Sequence, residues 1–217
     1  MRKQRIFLIT CFVLSSVCLV AQQVSFEQSF GLSGGGSSVI KKTAIGPIDT
    51  TQVNSTFSAR LLQFGIVYYP RIEFLRGRSV SLSIGSPVML GLGISTKYAS
   101  SDRDIATGVV TQREGITGAD LAFTLPVVMD LNIGLHSAAD ETNQRIGFYV
   151  GAGYGYSYNR IKTSVGKVFY DGFDPIFRAG LRLGRAWENR FTLGLNMRGM
   201  LNGNSVRIYE IHLLKDL

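Results

Sequence analysis

The chain has 217 residues, with 23 Lys and Arg against 15 Asp and Glu, 45% hydrophobic residues, 25 glycines and two cysteines. Both cysteines, Cys11 and Cys18, fall in an N-terminal leader, which excludes disulfide, thiolate-metal and cysteine-nucleophile chemistry from the processed chain. The basic excess is scattered, without a basic run or a basic-aromatic helix, and this argues against nucleic acid as a partner.

The leader comes first. Arg2, Lys3 and Arg5 precede an apolar run from Ile6 to Val20 that ends in Ala21-Gln22-Gln23, the charged, apolar and small-residue order of a secretory signal. The run is shorter than the roughly 20 residues a spanning helix needs. Cleavage after Ala21 is therefore expected, dividing the chain into a signal peptide, 1–21, and one domain, 22–217, with 20 basic and 15 acidic residues.

No helical apolar period follows. Eight strands are predicted instead, over 24–33, 57–76, 79–98, 118–135, 144–158, 176–184, 189–201 and 205–214. The evidence is a period of two, which sends successive side chains to opposite faces of a sheet. It is plainest in QRIGFYVGAGYGYSY, residues 144–158, and again where Phe191, Leu193, Leu195 and Met197 alternate with Arg190, Thr192, Gly194, Asn196 and Arg198. Segments 34–56, 99–117 and 159–175 are read as long loops, and Gly77, 136–143, 185–188 and 202–204 as short turns. Long and short links alternate until 202–204 closes the last hairpin, and long loops at one end with short turns at the other are the signature of an up-and-down membrane barrel, with both termini at the short-turn end. Pro70, Pro87 and Pro126 fall inside strands, where proline removes a ladder donor, so bulges are expected there.

Alternation alone leaves open which face is inside, since a soluble ligand-binding barrel turns its apolar set inward. Composition separates the two cases. The apolar set runs through Leu62, Phe64 and Ile66, Leu90 and Leu92, Leu125 and Val127, and Leu181 and Leu183. The other set is Gly and Ser with Arg71, Glu73, Asp120, Asp130, Arg145, Arg178, Arg182, Arg190 and Arg198. Lysines, which a solvated face would carry, sit in the predicted loops or at strand ends. Small residues mixed with long arginines fill the taper of a narrow barrel, so the polar face is expected inside and the apolar face toward lipid. Tyr154, Tyr156 and Tyr158 at one end and Phe148 at the other suit the aromatic girdles of such barrels.

The signal, the eight alternating strands, the asymmetric links and segments such as GIVYYPRIEF (65–74) and SVSLSIGSPVMLGLG (79–93) together resemble the small eight-stranded outer-membrane proteins, that is, the OmpA-like and OmpX-like barrels and the outer membrane protein beta-barrel domain family. The resemblance covers residues 24–217. It implies an all-β, eight-stranded antiparallel up-and-down transmembrane barrel in the outer membrane of a Gram-negative-type bacterium. It also implies insertion by the barrel-assembly machinery, and it transfers no enzymatic activity and no catalytic residue.

Two sets of candidate site residues follow. Unpaired charges inside a narrow tube would cost several kcal/mol each, so Arg71, Glu73, Asp130, Arg178, Arg182, Arg198 and Glu210, with Glu27, are expected to form an interior ion-pair network that plugs the barrel. Lys41, Lys42, Arg160, Lys162 and Lys167, with Phe169, Tyr170 and Phe173, are expected as surface-loop contacts, placed to meet lipopolysaccharide phosphates or an envelope protein partner. His136 and His212 are expected as a turn residue and a rim residue at the periplasmic end, too isolated for acid-base work. GAGYGY (151–156) lacks phosphate-loop spacing, and Asp102-Arg103-Asp104 falls short of a calcium loop. No cofactor or metal is expected. The functional expectation is a non-enzymatic outer-membrane barrel whose loops serve surface interaction or envelope integrity. The alternatives are a narrow, porin-like channel for small or apolar solutes, and an accessory part of a secretion or envelope-assembly complex.

Overall fold

The computed structural model describes residues 24–45, 53–76, 79–104, 108–115, 119–135, 145–163, 166–185, 189–199 and 206–217. Within these it describes the backbone alone at 39–45, 53–59, 95–100, 102–104, 113–115, 119–120, 161–163, 166–170, 185, 189 and 206. The predicted leader, 1–21, and His136 lie outside the described residues.

The described chain forms ten strand segments: β1 (Ser25–Ile45), β2 (Val53–Phe74), β3 (Val80–Gly85), β4 (Val88–Asp104), β5 (Val110–Gly115), β6 (Ala119–Gly134), β7 (Ile146–Thr163), β8 (Gly166–Arg185), β9 (Asn189–Arg198) and β10 (Val206–Asp216). β3 and β4 share the neighbours β2 and β6 and make one stave, and β5 and β6 make another, so the ten segments are eight staves. All pairs are antiparallel, and β1 pairs with both β2 and β10, which closes the sheet into a barrel without edges.

The register fixes the barrel's width. From Arg160 on β7 the paired residues run through Leu121, Leu92, Phe64, Gly34, Ile211, Leu195 and Ala179 and return to β7 at Val150, ten residues away. A shear of ten over eight staves, with ordinary strand rise and spacing, gives a tilt of about 40° and a backbone radius of about 8 Å. Side chains from opposite walls meet across a tube of that size.

Burial is inverted relative to a water-soluble barrel. Phe64, Ile66, Leu90, Leu92, Leu125, Val127, Leu193, Leu195, Ile211 and Leu213 are exposed, while Arg71, Glu73, Asp130, Arg182, Arg198 and Glu210 are each at most 2% exposed. The polar face is inside and the apolar face is the outer wall, the arrangement of a barrel whose solvent is lipid. Arg145, assigned to the polar face by alternation, stands just before β7 and is exposed, beyond the reach of the pleat.

The segments read as long loops are mostly strand. β1 and β2 pair as far as Ile45 opposite Val53, and β7 and β8 as far as Thr163 opposite Gly166. The run Gly34-Gly35-Gly36-Ser37-Ser38 has turn composition yet lies in mid-strand. A Cβ at Gly35 would collide with the Tyr209 carbonyl of β10, so the glycine is there for close approach of two staves. The Asp102-Arg103-Asp104 segment likewise belongs to β4, opposite Ser55, Asn54 and Val53 of β2.

Of the four prolines in the described wall, Pro70, Pro87 and Pro126 meet at one place, and Pro175 stands apart on β8 opposite Tyr154. Pairing of β2 stops at Arg71 opposite Gly85 and resumes at Tyr68 opposite Val88, and pairing of β6 stops at Val128 opposite Gly85 and resumes at Thr124 opposite Met89. The count of residues is equal on both sides, so this is a gap in the ladder with no register shift. The expected bulges are absent here, and the shift the structure does contain lies at Arg60/Leu61, where Thr96 is the extra residue. Ser86 spans the gap, its N–H donating to the Pro70 carbonyl at 3.0 Å and its hydroxyl to the Pro126 carbonyl at 2.5 Å. Since N–H and C=O of one residue point the same way in an antiparallel strand, the missing donors of Pro70 and Pro126 also face the gap. An N–H there would seek an acceptor across the gap and draw the staves together, and proline removes it. Ser86→Ala is therefore expected to cost about 1–3 kcal/mol by stranding the Pro126 carbonyl. Equilibrium unfolding in vesicles measures this, and a neutral result would mean the hydroxyl bond does not form.

Candidate functional site

The barrel interior is built in layers. At the end near Val24 and Leu217, Arg71 pairs with Glu27 of neighbouring β1, lies 3.7 Å from Glu73 Oε1 and 3.8 Å from Asp216 Oδ1, and donates to Ser29 Oγ at 3.1 Å. Arg76 adds bonds to Glu27 Oε1 at 3.2 Å and to Glu73 Oε2 at 3.0 Å, and Arg182 stands 3.7 Å from Glu73 Oε1. Strand register explains the meeting: Glu27 pairs with Arg71, Ser25 with Glu73, and Ser29 with Asp216, so carboxylates of three staves meet three arginines.

Above them the arginines interleave with tyrosines. Arg71 and Arg178 lie 5.5 and 4.4 Å from the centre of the Tyr69 ring, and Arg178 and Arg182 lie 4.8 and 5.2 Å from that of Tyr149. Tyr69 donates to Asp130 Oδ2 at 2.6 Å, and Arg178 Nε stands 3.6 Å from Asp130 Oδ1. Each desolvated cation–ring contact adds attraction of about 2 kcal/mol, and together they hold three guanidinium groups in one column. Neither tyrosine stands out in the sequence. Each is the second aromatic of a pair, Tyr68-Tyr69 and Phe148-Tyr149, whose first member faces outward. Parity was the available signal, because Tyr69 shares a face with Arg71 and Glu73.

A buried apolar cluster of Val67, Met89, Ala122, Val128, Ile176 and Leu214, which the Tyr69 ring joins, comes next. The upper polar layer follows. Arg198 pairs with Glu210 and donates to Thr124 Oγ1 at 2.6 Å and to Ser157 Oγ at 3.1 Å. His212 Nε2 lies 3.3 Å from Glu210 Oε2 and 2.9 Å from Asn196 Nδ2. His212 is thus a buried interior residue at 3% exposure, not a rim residue, because Glu210 and His212 share the inward parity of β10. Gln63 donates to Asn159 at 2.7 Å nearer the hairpin end. Every one of Arg71, Glu73, Asp130, Arg178, Arg182, Arg198 and Glu210 is inside and within 4 Å of an opposite charge. The arrangement binds the staves to one another and neutralises charge; His212 has no hydroxyl or thiol nucleophile hydrogen-bonded to it among the described residues.

The residues expected as surface-loop contacts stand on paired strands. Lys41 and Lys42 lie on the β1 extension opposite Phe57 and Thr56, Lys162 opposite Lys167, Arg160 opposite Phe169, and Tyr170 opposite Asn159. Side chains are described only for Arg160, which is half-buried, and Phe173. Phe173 belongs to the outer wall. Its ring stacks on Tyr154 at 6.1 Å and meets Tyr156 at 5.4 Å, an aromatic cluster of the kind found at a membrane boundary.

No protein-family model and no curated protein matches the chain. Among solved structures it is similar to Ail, the attachment invasion locus protein of Yersinia pestis, in complex with the heparin analogue sucrose octasulfate, at 11% identity over 88% of this chain and 97% of that one, with a TM-score of 0.35. It is also similar to Neisserial surface protein A, at 10% identity over 90% and 98%, with a TM-score of 0.36. At such identities and scores the architecture of this chain rests on its own strand pairing: a closed, all-antiparallel barrel of eight staves.

Proposed function

We propose that the chain is a non-enzymatic integral protein of a Gram-negative-type outer membrane, exported by the signal at 1–21 and inserted by the barrel-assembly machinery. Its barrel is a closed anchor, and its strand extensions present surface for interaction or envelope integrity. The observation that carries this reading is the inverted burial, an apolar wall around an interior whose arginines are matched by carboxylates. The extensions support the second half. β1 continues seven residues past Ser38 while still paired to β2, roughly 18 Å of hairpin beyond the apolar wall. Lys41 and Lys42 on that hairpin, and Arg160, Lys162 and Lys167 on the β7–β8 hairpin, provide cations for lipopolysaccharide phosphates, with Phe169 and Tyr170 nearby for an envelope protein partner.

A closed anchor conducts no ions. Purified protein in a planar bilayer is expected to give no steady single-channel current, because a tube of about 8 Å backbone radius is filled by the layers described. Reproducible ion-selective openings would overturn the anchor reading in favour of a narrow channel. Recovery of one stoichiometric protein from solubilised membranes would instead favour an accessory role in an envelope complex.

A further inference from the structure

The gap at Gly85–Pro87 has a position and a backing that a closed anchor does not require. On the β3–β4 stave the exposed apolar side chains run from Val80 to Ile94, and the gap stands at their centre, so it faces hydrocarbon and not headgroups. Across it the ladder is missing on both sides, at Tyr69–Pro70 and at Leu125–Val127, and Ser86 supplies the bonds that span it. Elsewhere in the wall, parting two staves breaks a run of ladder bonds. Here the hydrogen bonds across the wall are those of one residue, Ser86, beside the packing of Gly85 on Tyr69.

What lies behind is the ring of Tyr69, packed against Gly85, and the buried apolar cluster that the ring joins. Met89, the first inward residue after the gap, is 2% exposed and packs in that cluster with Val67, Val128 and Ile176. Methionine is unbranched and soft, and reshapes around a guest more readily than the β-branched residues beside it. Its sulfur accepts from Ser33 Oγ at 3.0 Å, a weak bond to give up. Arg71, Arg178 and Asp130 hold the Tyr69 ring on one side, so an aliphatic chain is accepted on the other, the Met89 side of the cluster.

We propose that the gap is a lateral port, through which the aliphatic chain of a bilayer lipid passes from the hydrocarbon into the apolar cluster, displacing Met89. The inference rests on the chain spanning a bilayer, and the test reports that separately. The protein is refolded into phosphatidylcholine vesicles containing a phosphatidylcholine with a diazirine in mid-chain, irradiated, and the adducts mapped by mass spectrometry. Adducts on outward Val88, Leu125 and Val127 report the membrane-spanning wall. Adducts on inward Met89, Val67 and Val128 report the port.

Both sets are expected. Outward adducts alone would overturn the port and leave the barrel reading standing; absence of both would overturn the two together. In a Pro70→Val/Pro126→Val variant, which returns two N–H donors to the gap, inward labelling is expected to fall about tenfold or more with outward labelling unchanged. Met89→Phe, which enlarges the side chain at the entrance, is expected to act in the same direction. Inward labelling that survives undiminished in the proline variant would show that chains do not enter through the gap, and would end the proposal.

Discussion

Glu210→Leu is expected to lower the unfolding free energy of the barrel by about 3–5 kcal/mol, the cost of stranding a buried charge. Arg198 is 2% exposed and pairs with the carboxylate of Glu210, while Thr124 and Ser157 supply hydroxyl oxygens. His212 loses a partner in the same substitution. The sharper form of the experiment is the double variant Arg198→Met/Glu210→Leu, which removes both charges and is expected to recover most of the loss, since a buried pair replaced by apolar side chains is often neutral. Urea unfolding in lipid vesicles measures all three proteins. A near-neutral Glu210→Leu would mean that the upper interior is open to water, and would reopen the channel reading.

Leu195→Arg is expected to destabilise by about 2–4 kcal/mol, because it turns a cation outward at the middle of the apolar wall. Leu195 is 40% exposed and follows the same outward parity as Leu193, whereas Asn196 between Leu195 and Met197 is 5% exposed and faces in. Depth provides the control. Phe173 lies on β8 six residues from Ala179, the partner of Leu195, which puts it about 12 Å nearer the hairpin end. There, beside Tyr154 and Tyr156, the same outward arginine is expected to cost about 0–1 kcal/mol. Equal costs at Leu195 and Phe173 would contradict a bilayer around this wall, and a harmless Leu195→Arg would invert the assignment of faces.

The facing of the wall was legible from residue types because two different solvents act on alternate positions. Leu193 and Leu195 against Thr192, Gly194 and Asn196 carry that difference in five consecutive residues. The extent of the strands was not legible. Past Ser33 the chain turns to Gly and Ser, which ordinarily mark turns, and only the closeness of β10 explains why β1 needs them as strand residues. The tyrosine column escaped for a related reason: Tyr69 and Tyr149 look apolar beside Tyr68 and Phe148, and their value lies in arginines from other staves. The prolines were visible as an anomaly, but their convergence on Ser86 is a property of register, which brings Pro70 and Pro126, 56 positions apart, to opposite sides of that residue. Charges on the inward face showed in alternation, while their particular partners depend on the shear of ten, a quantity of the closed ring.

The joint between β1 and β10 has a consequence in time. Gly31 to Val39 pair with Leu214 to Val206, so the first stave waits for the last, and no partial sheet can satisfy both of its sides. The contacts of Asp216 with Ser29 and with Arg71, and the bond from the Leu217 N–H to the Gln28 carbonyl, all straddle that joint. Until the ends of the chain meet, Arg71 and Glu27 sit beside an open edge where water or lipid headgroups can reach them. Ring closure is thus also the step that dehydrates this cluster. Assembly should finish in one cooperative event, with the C-terminal residues acting as its latch.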